Sequence, residues 1–523
     1  MAPVRKDGVY GISAFLLSCK LVQNKERIRY SKTVLEKKMK KITSLLLAIL
    51  ILLSAVALAA CSSKEDPPAE SGTNLPATDT TPDSYEETIP DLDCEGDNFN
   101  LLVSTQMQDF FLTTEAQDAV SLASYERNLA VENRFNVTLN YTTMNGNTNG
   151  ATEFLGAIRA ATASGTEDCY DVVVPQLFGL SLVLEGGYHN LYNSKYLHFN
   201  RDWWYSNINN YGVIDGKLYG VAGAFNMDKI TATVAMFFNK NMATAYGIDP
   251  DDIYELVEAG TWSMEDLLRM SALVADNNVD GNSVLDEFDK YGFVTTNHGV
   301  RATLVGLDMP VSKVSDDGVE ILYMNDRYYR IFDEVYAFFN ETDSTYMTTD
   351  YELPTEIFSN GRALFYACDI VHISGADFRS LSFEYGVAPM PKYSDEQKEY
   401  VSSSMRWDLT FVPIAADFDR ACIILENLNY ETYNIMIPQY WELAVPYKYM
   451  NDPRNQAILE TIRQSVYWDF CEYWNSYASG AIFGLGNLIV EKDTGASSWW
   501  GANTENVKNS IAEIVQYLNE FEG

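Results

Sequence analysis

Apolar and polar positions recur along the chain with two periods, and their order is the first clue to the fold. Phe99–Ser104 is an apolar run that predicts a first strand, and residues 118–134 pattern as a helix. Val137, Leu139 and Tyr141 then alternate with polar residues, as a half-buried second strand requires. Residues 152–163 place Phe154, Leu155, Ile158 and Ala161 on one helical face, and Tyr170–Val174 closes the series as a buried third strand. Strand, helix, strand, helix, strand is the order of a parallel α/β sheet. Ligands of such sheets sit beyond the carboxyl ends of the strands. The loops after Ser104 and after Val174 are therefore expected to line a cleft.

A second α/β region starts near Thr233, with a strand at 234–238. Asp249-Pro250 opens a helix that Gly260 closes, and Ser263 caps the next, with Asp266 three residues on as in a capping box. Further strands are predicted at 363–367, 385–388 and 409–414, with helices at 326–340 and 418–430 between them. From about Thr504 the pattern is an amphipathic helix carrying Ile511, Ile514, Val515 and Leu518. There is no internal repeat.

The beginning of the chain departs from this pattern. Residues 1–60 hold eleven basic and three acidic side chains, and an apolar run from Ile42 to Ala60 follows Met39-Lys40-Lys41. A basic start, an apolar middle and small residues before a cut are the features of a signal peptide. Leu58-Ala59-Ala60-Cys61 is similar to a bacterial lipobox, which implies that Cys61 is lipidated and becomes the new N-terminus. A transmembrane anchor is the alternative, since 19 residues just span a bilayer. Met39 then reads as the start of a signal peptide over 39–60, with 1–38 an upstream extension. Residues 61–94 form an acidic, Pro/Thr-rich tether with prolines at 67, 68, 76, 82 and 90 and few apolar side chains to bury.

Charge narrows the choice of partners. The 523 residues carry 37 Lys+Arg against 73 Asp+Glu, a formal charge of −36. Beyond residue 60 the balance is 26 against 70. No basic face is available for nucleic-acid phosphates. Cys94, Cys169, Cys368, Cys422 and Cys471 are widely spaced and contain no CxxC, which argues against a zinc site or redox pair. They read as small buried hydrophobes, at least one of them unbridged within the chain.

Four segments carry a family resemblance. Ile214-Asp215-Gly216-Lys217-Leu218-Tyr219-Gly220 is similar to a "DGKxYG" hairpin. Phe237-Phe238-Asn239-Lys240, Tyr246-Gly247-Ile248-Asp249-Pro250 and Gly260-Thr261-Trp262 together resemble a "YNK…GxxxPPxTWdE" stretch. Phe358-Ser359-Asn360-Gly361-Arg362-Ala363 and Tyr385-Gly386-Val387-Ala388-Pro389-Met390-Pro391 resemble the "F.nGkaAm" and "GvaPlP" segments. In this order, behind a lipobox, they make the chain from about residue 97 onward resemble a bacterial extracellular solute-binding protein, family 1, of the sugar-binding type, that serves an ATP-binding cassette (ABC) importer. The chain is longer than typical members, and Gly260-Thr261-Trp262 follows an extra helix where a Pro-rich turn is usual.

The resemblance implies an α/β, type II periplasmic-binding-protein-like fold in which two lobes close on a ligand about a hinge. Lobe one would comprise 95–232 and 408–445, and lobe two 233–407 and 446–523, with crossings near 232, 407 and 446. It implies a monomer anchored by lipid on the outer face of a bacterial, Gram-positive cell membrane. Its partners would be ABC permease subunits and a small solute, first of all an oligosaccharide, with peptides and polyamines open because they use the same fold.

Asp276–Glu287 matches D-x-[DN]-x-[DN]-G-x5-E in full. Calcium takes six to eight oxygens, and alternate loop residues supply them. Asp276, Asn278, Asp280, Asn282 and Glu287 are the candidate ligands of a structural Ca2+, with Asp286 and Asp289 rivals for the last place. An Asp/Asn/Gly turn without metal is the alternative.

Sugars offer C–H faces and hydroxyl rims, so their sites pair aromatic rings with carboxylates and amides. Gln106 and Gln176 follow the first and third strands. Trp407 and Asp408 lie at a predicted crossing and Trp441 near another. The resemblance adds Asp369 and His372, which follow the strand after Gly361-Arg362-Ala363. Trp203-Trp204, Trp499-Trp500 and Trp262 read as packing residues. The four histidines form no HExxH, and no GxSxG, P-loop or GxGxxG after a strand occurs, so the chain reads as no enzyme. The alternatives are a surface glycoside hydrolase using paired carboxylates, or a lipid-anchored carbohydrate-adhesion module without a transporter.

Overall fold

The computed structural model describes residues 89–520, apart from 112–118, 166–168, 277–278, 280, 283–284, 316–317, 323–324, 395, 445–451 and 479. Cys61, the leader and nearly all of the tether lie outside the described residues, as do Asn278, Asp280 and the crossing near 446. No described helix is long and apolar enough to cross a membrane.

The first sheet is built as its pattern predicts. Strands β1 (Asn98–Ser104), β2 (Thr138–Met144) and β3 (Val172–Val174) pair in the order β2-β1-β3, all parallel, with Val103 opposite both Thr143 and Val174. Helices α1 (Ala119–Phe135) and α2 (Ala151–Ser164) are its crossovers. The DGK segment is a tight hairpin: Ile214 pairs with Lys217, and Asp215 and Gly216 take φ of 48° and 69°. Positive φ at both central residues is what a type I′ turn demands and Asp-Gly tolerates. Trp203 and Trp204 are buried packing residues, and both indole N–H groups donate to the buried carboxylate of Glu426.

The second sheet follows from β4 (Val234–Asn239). Helix α3 (Pro250–Glu258) starts on the Asp249 cap and stops before Gly260, whose φ of 69° no L side chain adopts easily. Helix α4 (Met264–Val274) starts on Ser263, which accepts from the Asp266 N–H. Trp262 is fully buried beside that cap, its indole N–H on Pro389 O. Then come β5 (Tyr291–Thr296), α5 (Asn297–Gly306), the hairpin β6 (Ser312–Ser315) and β7 (Gly318–Ile321), α6 (Asp326–Asn340), β8 (Thr345–Thr348), α7 (Leu353–Ser359), β9 (Ala363–Asp369) and β10 (Tyr385–Ala388). The sheet order is β10-β4-β9-β5-β8. Strands β8, β5 and β9 are parallel, and β4 is antiparallel to both of its neighbours.

The chain passes between the sheets along two segments that run side by side. Thr233 bridges Ser404, the Val234 N–H donates to Ser403 O, and the Met405 N–H donates to Ala232 O. Residues 408–413 then return to the first sheet. They were expected as a strand at 409–414, but they form only single bridges, Asp408 to Gln176, Thr410 to Val221, Phe411 to Val173 and Pro413 to Tyr188. Successive residues pair with different segments, and Pro413 has no N–H to give, so no continuous ladder forms.

Helices α8 (Phe418–Glu431) and α9 (Ile437–Ala444) pack against α1, whereas α10 (Pro453–Gln464) packs against β10 and α11 (Gly484–Val490) against α5 and α6. The C-terminal helix α12 runs over Ala496–Glu520, eight residues longer at its start than its apolar spacing predicts. That added turn holds the stacked pair Trp499–Trp500, and Asn503 and Thr504 bond back to the carbonyls four residues earlier. The five described cysteines are buried and unbridged.

Candidate functional site

The carboxyl ends of the parallel strands in both sheets point to one place, the segment Arg406–Asp408. Ser104 ends β1, Gln176 lies two residues beyond β3, Asp369 ends β9, and His298 stands in the first turn of α5 just after β5. Arg406 ties these together. Its Nε is 2.9 Å from Asp408 Oδ2, and its Nη2 donates to Ser104 Oγ at 3.3 Å. Ser104 Oγ in turn donates to Gln106 Oε1, and Gln106 Nε2 donates to Asn145 Oδ1 at 3.0 Å. Gln106, Ser104, Arg406 and Asp408 are thus one hydrogen-bonded chain across the first sheet's end. Gln176 joins it through its backbone bridge to Asp408.

Trp407 is half-buried on the other side of the same segment. Its indole N–H donates to Glu472 Oε1 at 2.9 Å. The Arg301 guanidinium lies 5.1 Å from the Trp407 ring centroid and 5.7 Å from that of Phe483, and Phe483 meets Trp407 edge-on at 5.9 Å. Arg301 also pairs with Glu472 and donates to Ser403 Oγ. An indole gripped at its N–H and backed by a cation is a fixed aromatic platform. Behind it lies a cavity of about 30 Å3, lined among others by Arg301, Asp308, Tyr467, Asp469 and Glu472.

Asp369 and His372 are partners, with His372 Nε2 3.7 Å from Asp369 Oδ1. Burial raises the Asp369 carboxyl above the ordinary carboxylate range, against the opposing pull of His372, His298 and Arg406. Burial and the nearby Arg301 lower the His298 imidazole, and Asp369 opposes them. Tyr440, buried on α9, has its hydroxyl pushed up by burial while it faces Ser374 and Asp369. Trp441 follows it on α9, but its side chain is outside the described residues.

Gln106, Gln176, Asp369, His372, Trp407 and Asp408, read from the sequence, therefore all stand at the carboxyl edges that meet at 406–408. Sequence reasoning missed Arg301, Glu472, His298 and Ser104. Arg301 and Glu472 are 171 residues apart, and no local pattern marks them as a pair.

Of the candidate calcium ligands, Asp276, Asn282 and Glu287 are described. Asp276 pairs by backbone with Lys290. Asn282 Nδ2 donates to Asp286 Oδ2 at 3.0 Å. Asp289 is fully buried and accepts from the Val279 N–H at 3.1 Å and the Asp286 N–H at 3.2 Å. Asp289 and Asp286 thus serve the loop's own donors, which leaves Glu287 as the terminal acid. An oxygen-only set of this kind suits Ca2+.

Comparison with solved structures places the fold. The chain is similar to an ABC transporter solute-binding protein from Thermotoga lettingae bound with α-D-tagatose, at 13% identity and a TM-score of 0.51 over 80% of this chain and 100% of that one. It is also similar to the cyclic α-maltosyl-1,6-maltose-binding protein of Arthrobacter globiformis, at 11% identity and a TM-score of 0.52 over 79% of this chain and 98% of that one. The shared fold is the α/β, type II periplasmic-binding-protein-like architecture. No protein-family model and no curated protein matches the sequence.

Proposed function

We propose that this chain is an extracellular solute-binding protein that captures an oligosaccharide between two α/β lobes and delivers it to an ABC transporter. The observation that carries this reading is the meeting of strand ends from both sheets on the segment 406–408, with Trp407 held there as an aromatic platform. The lobes are assigned as 95–232 with 408–445 and 233–407 with 446–523, and the paired segments at 232–234 and 403–405 act as the hinge. Two extended segments can twist together with little loss of packing, and a transporter then need only distinguish open from closed. The cations of the cleft are met by the protein's own carboxylates, Arg406 by Asp408 and Arg301 by Glu472, which favours an uncharged ligand over a peptide or polyamine.

Anchoring through a lipid on Cys61 belongs to the same reading, with the acidic tether carrying a monomer away from a Gram-positive membrane toward permease subunits. Ca2+ at 276–287 would stiffen an edge of lobe two; Asp276, Asn278, Asp280, Asn282 and Glu287 would hold it.

Calorimetry of the secreted protein against saccharides, peptides and polyamines tests the proposal. The expected result is saturable binding of a saccharide with no turnover. Hydrolysis of a bound glycan would replace it with a glycosidase, and absence of binding to any small solute would favour adhesion.

A further inference from the structure

Tyr351 combines two properties that rarely coincide. It is 60% exposed, yet its hydroxyl is fixed, 2.9 Å from His298 Nε2, with the two rings edge to face at 5.4 Å. It lies just beyond β8, so Tyr351, His298 and Asp369 follow β8, β5 and β9, three neighbouring parallel strands. All three therefore stand at the ligand edge of the second sheet. The loop is fixed as well: Asp350 Oδ1 accepts from the Glu352 and Leu353 N–H groups and so starts α7. Val371, 38% exposed next to His372, extends the apolar rim.

Holding an exposed tyrosine in one orientation costs side-chain entropy and leaves apolar ring surface in water. Nothing in the folding of the domain offsets that cost, because the ring covers little. A saccharide would: its C–H face stacks on an open aromatic ring, and a ring already oriented loses no further freedom on binding. Trp407 is half-buried and Tyr351 is mostly exposed, so the two rings differ in depth.

We propose that Tyr351, oriented by His298, is an outer subsite that stacks a later ring of an oligosaccharide whose first ring lies on Trp407. This rests on the reading of the cleft as a saccharide site.

The test is calorimetry on the secreted protein with malto-, cello- and xylo-oligosaccharides of one to five residues, comparing wild type with Tyr351→Ala, Tyr351→Phe and Tyr351→Trp. For the series that binds, Tyr351→Ala should weaken the longer members about tenfold and leave the shortest binding member unchanged. Tyr351→Trp should restore the loss, and Tyr351→Phe should fall between. Equal effects at all lengths, or none, with wild type still binding, would overturn the subsite alone. Wild type binding no saccharide would overturn both it and the reading beneath it.

Discussion

Trp407 donates its indole N–H to Glu472 Oε1 at 2.9 Å, and the same oxygen receives Arg301. One carboxylate thus sets the orientation of the aromatic platform and neutralises the cation behind it. Trp407→Ala should reduce saccharide affinity tenfold or more, whereas Trp407→Phe should keep part of it, because the platform survives without its tether. Glu472→Ala has a different expected signature. It leaves the Arg301 guanidinium, almost fully buried, with no counter-charge, and such a loss costs about 3–5 kcal/mol. Urea unfolding should show that loss, and Glu472→Gln should recover much of it. A Glu472→Ala variant as stable as wild type would mean that the pair contributes nothing.

A buried cation in the first lobe gives a second prediction. Arg127 is fully buried; it donates to Asn128 Oδ1, Thr432 Oγ1 and Phe110 O, and lies 5.2 Å from the Phe225 ring centroid. These partners are neutral, and burial lowers the guanidinium from its ordinary value. The flat fork satisfies three directions at once, which an ammonium cannot. Arg127→Lys should therefore destabilise almost as much as Arg127→Ala, on the order of 3 kcal/mol. A neutral outcome for Arg127→Lys in chemical denaturation would show that charge alone matters there.

These two networks also mark what the sequence could and could not disclose. Apolar period and caps announced β1, β4, β9, β10, α6 and the Ser263 start of α4, because each depends on neighbours within a few residues. Strands β5 and β8 were missed: Tyr291–Thr296 and Thr345–Thr348 are short, rich in hydroxyl residues and without alternation, and only their places in the sheet bury them. In the cleft, Gln106, Asp369 and Trp407 were nominated by their position after a strand or at a crossing. Arg301, Glu472 and Tyr351 become visible only when α5, the Phe470–Tyr473 turn and the loop after β8 are brought to one edge, a relation that no local spacing records.

The loop 276–287 yields a third prediction. If it holds calcium, adding Ca2+ to chelator-treated protein should raise the melting temperature by about 2–4 °C, since a ligand at a hundred times its Kd stabilises by about 2.7 kcal/mol. Glu287→Gln should abolish the shift. Asp289→Asn should instead lower the melting temperature with or without the ion, because its carboxylate accepts the Val279 and Asp286 N–H groups. Identical melting in chelator and in calcium would remove the metal from the account.

The fourth prediction concerns pH. Asp469 is buried, accepts from the N–H groups of Glu472, Val311 and Ser312, and is pushed up to about 6 by burial and by the nearby Glu472. Asp308, Arg301 and Tyr467 share its cavity, and Tyr328 and Cys471 lie close by. The folded state holds the Asp469 proton more tightly than the unfolded chain, whose value is 3.8. Its contribution is therefore fully present below that unfolded value and is lost as pH rises through about 6. Asp469→Ser keeps an oxygen to cap the turn but removes the titration. The stability of wild type relative to Asp469→Ser should fall by an amount on the order of 3 kcal/mol between pH 4 and 7, then level off. Urea unfolding of both proteins across that range measures the difference directly. A difference that stays flat, or that grows with pH, would show that the three N–H donors outweigh burial and keep Asp469 ionised throughout.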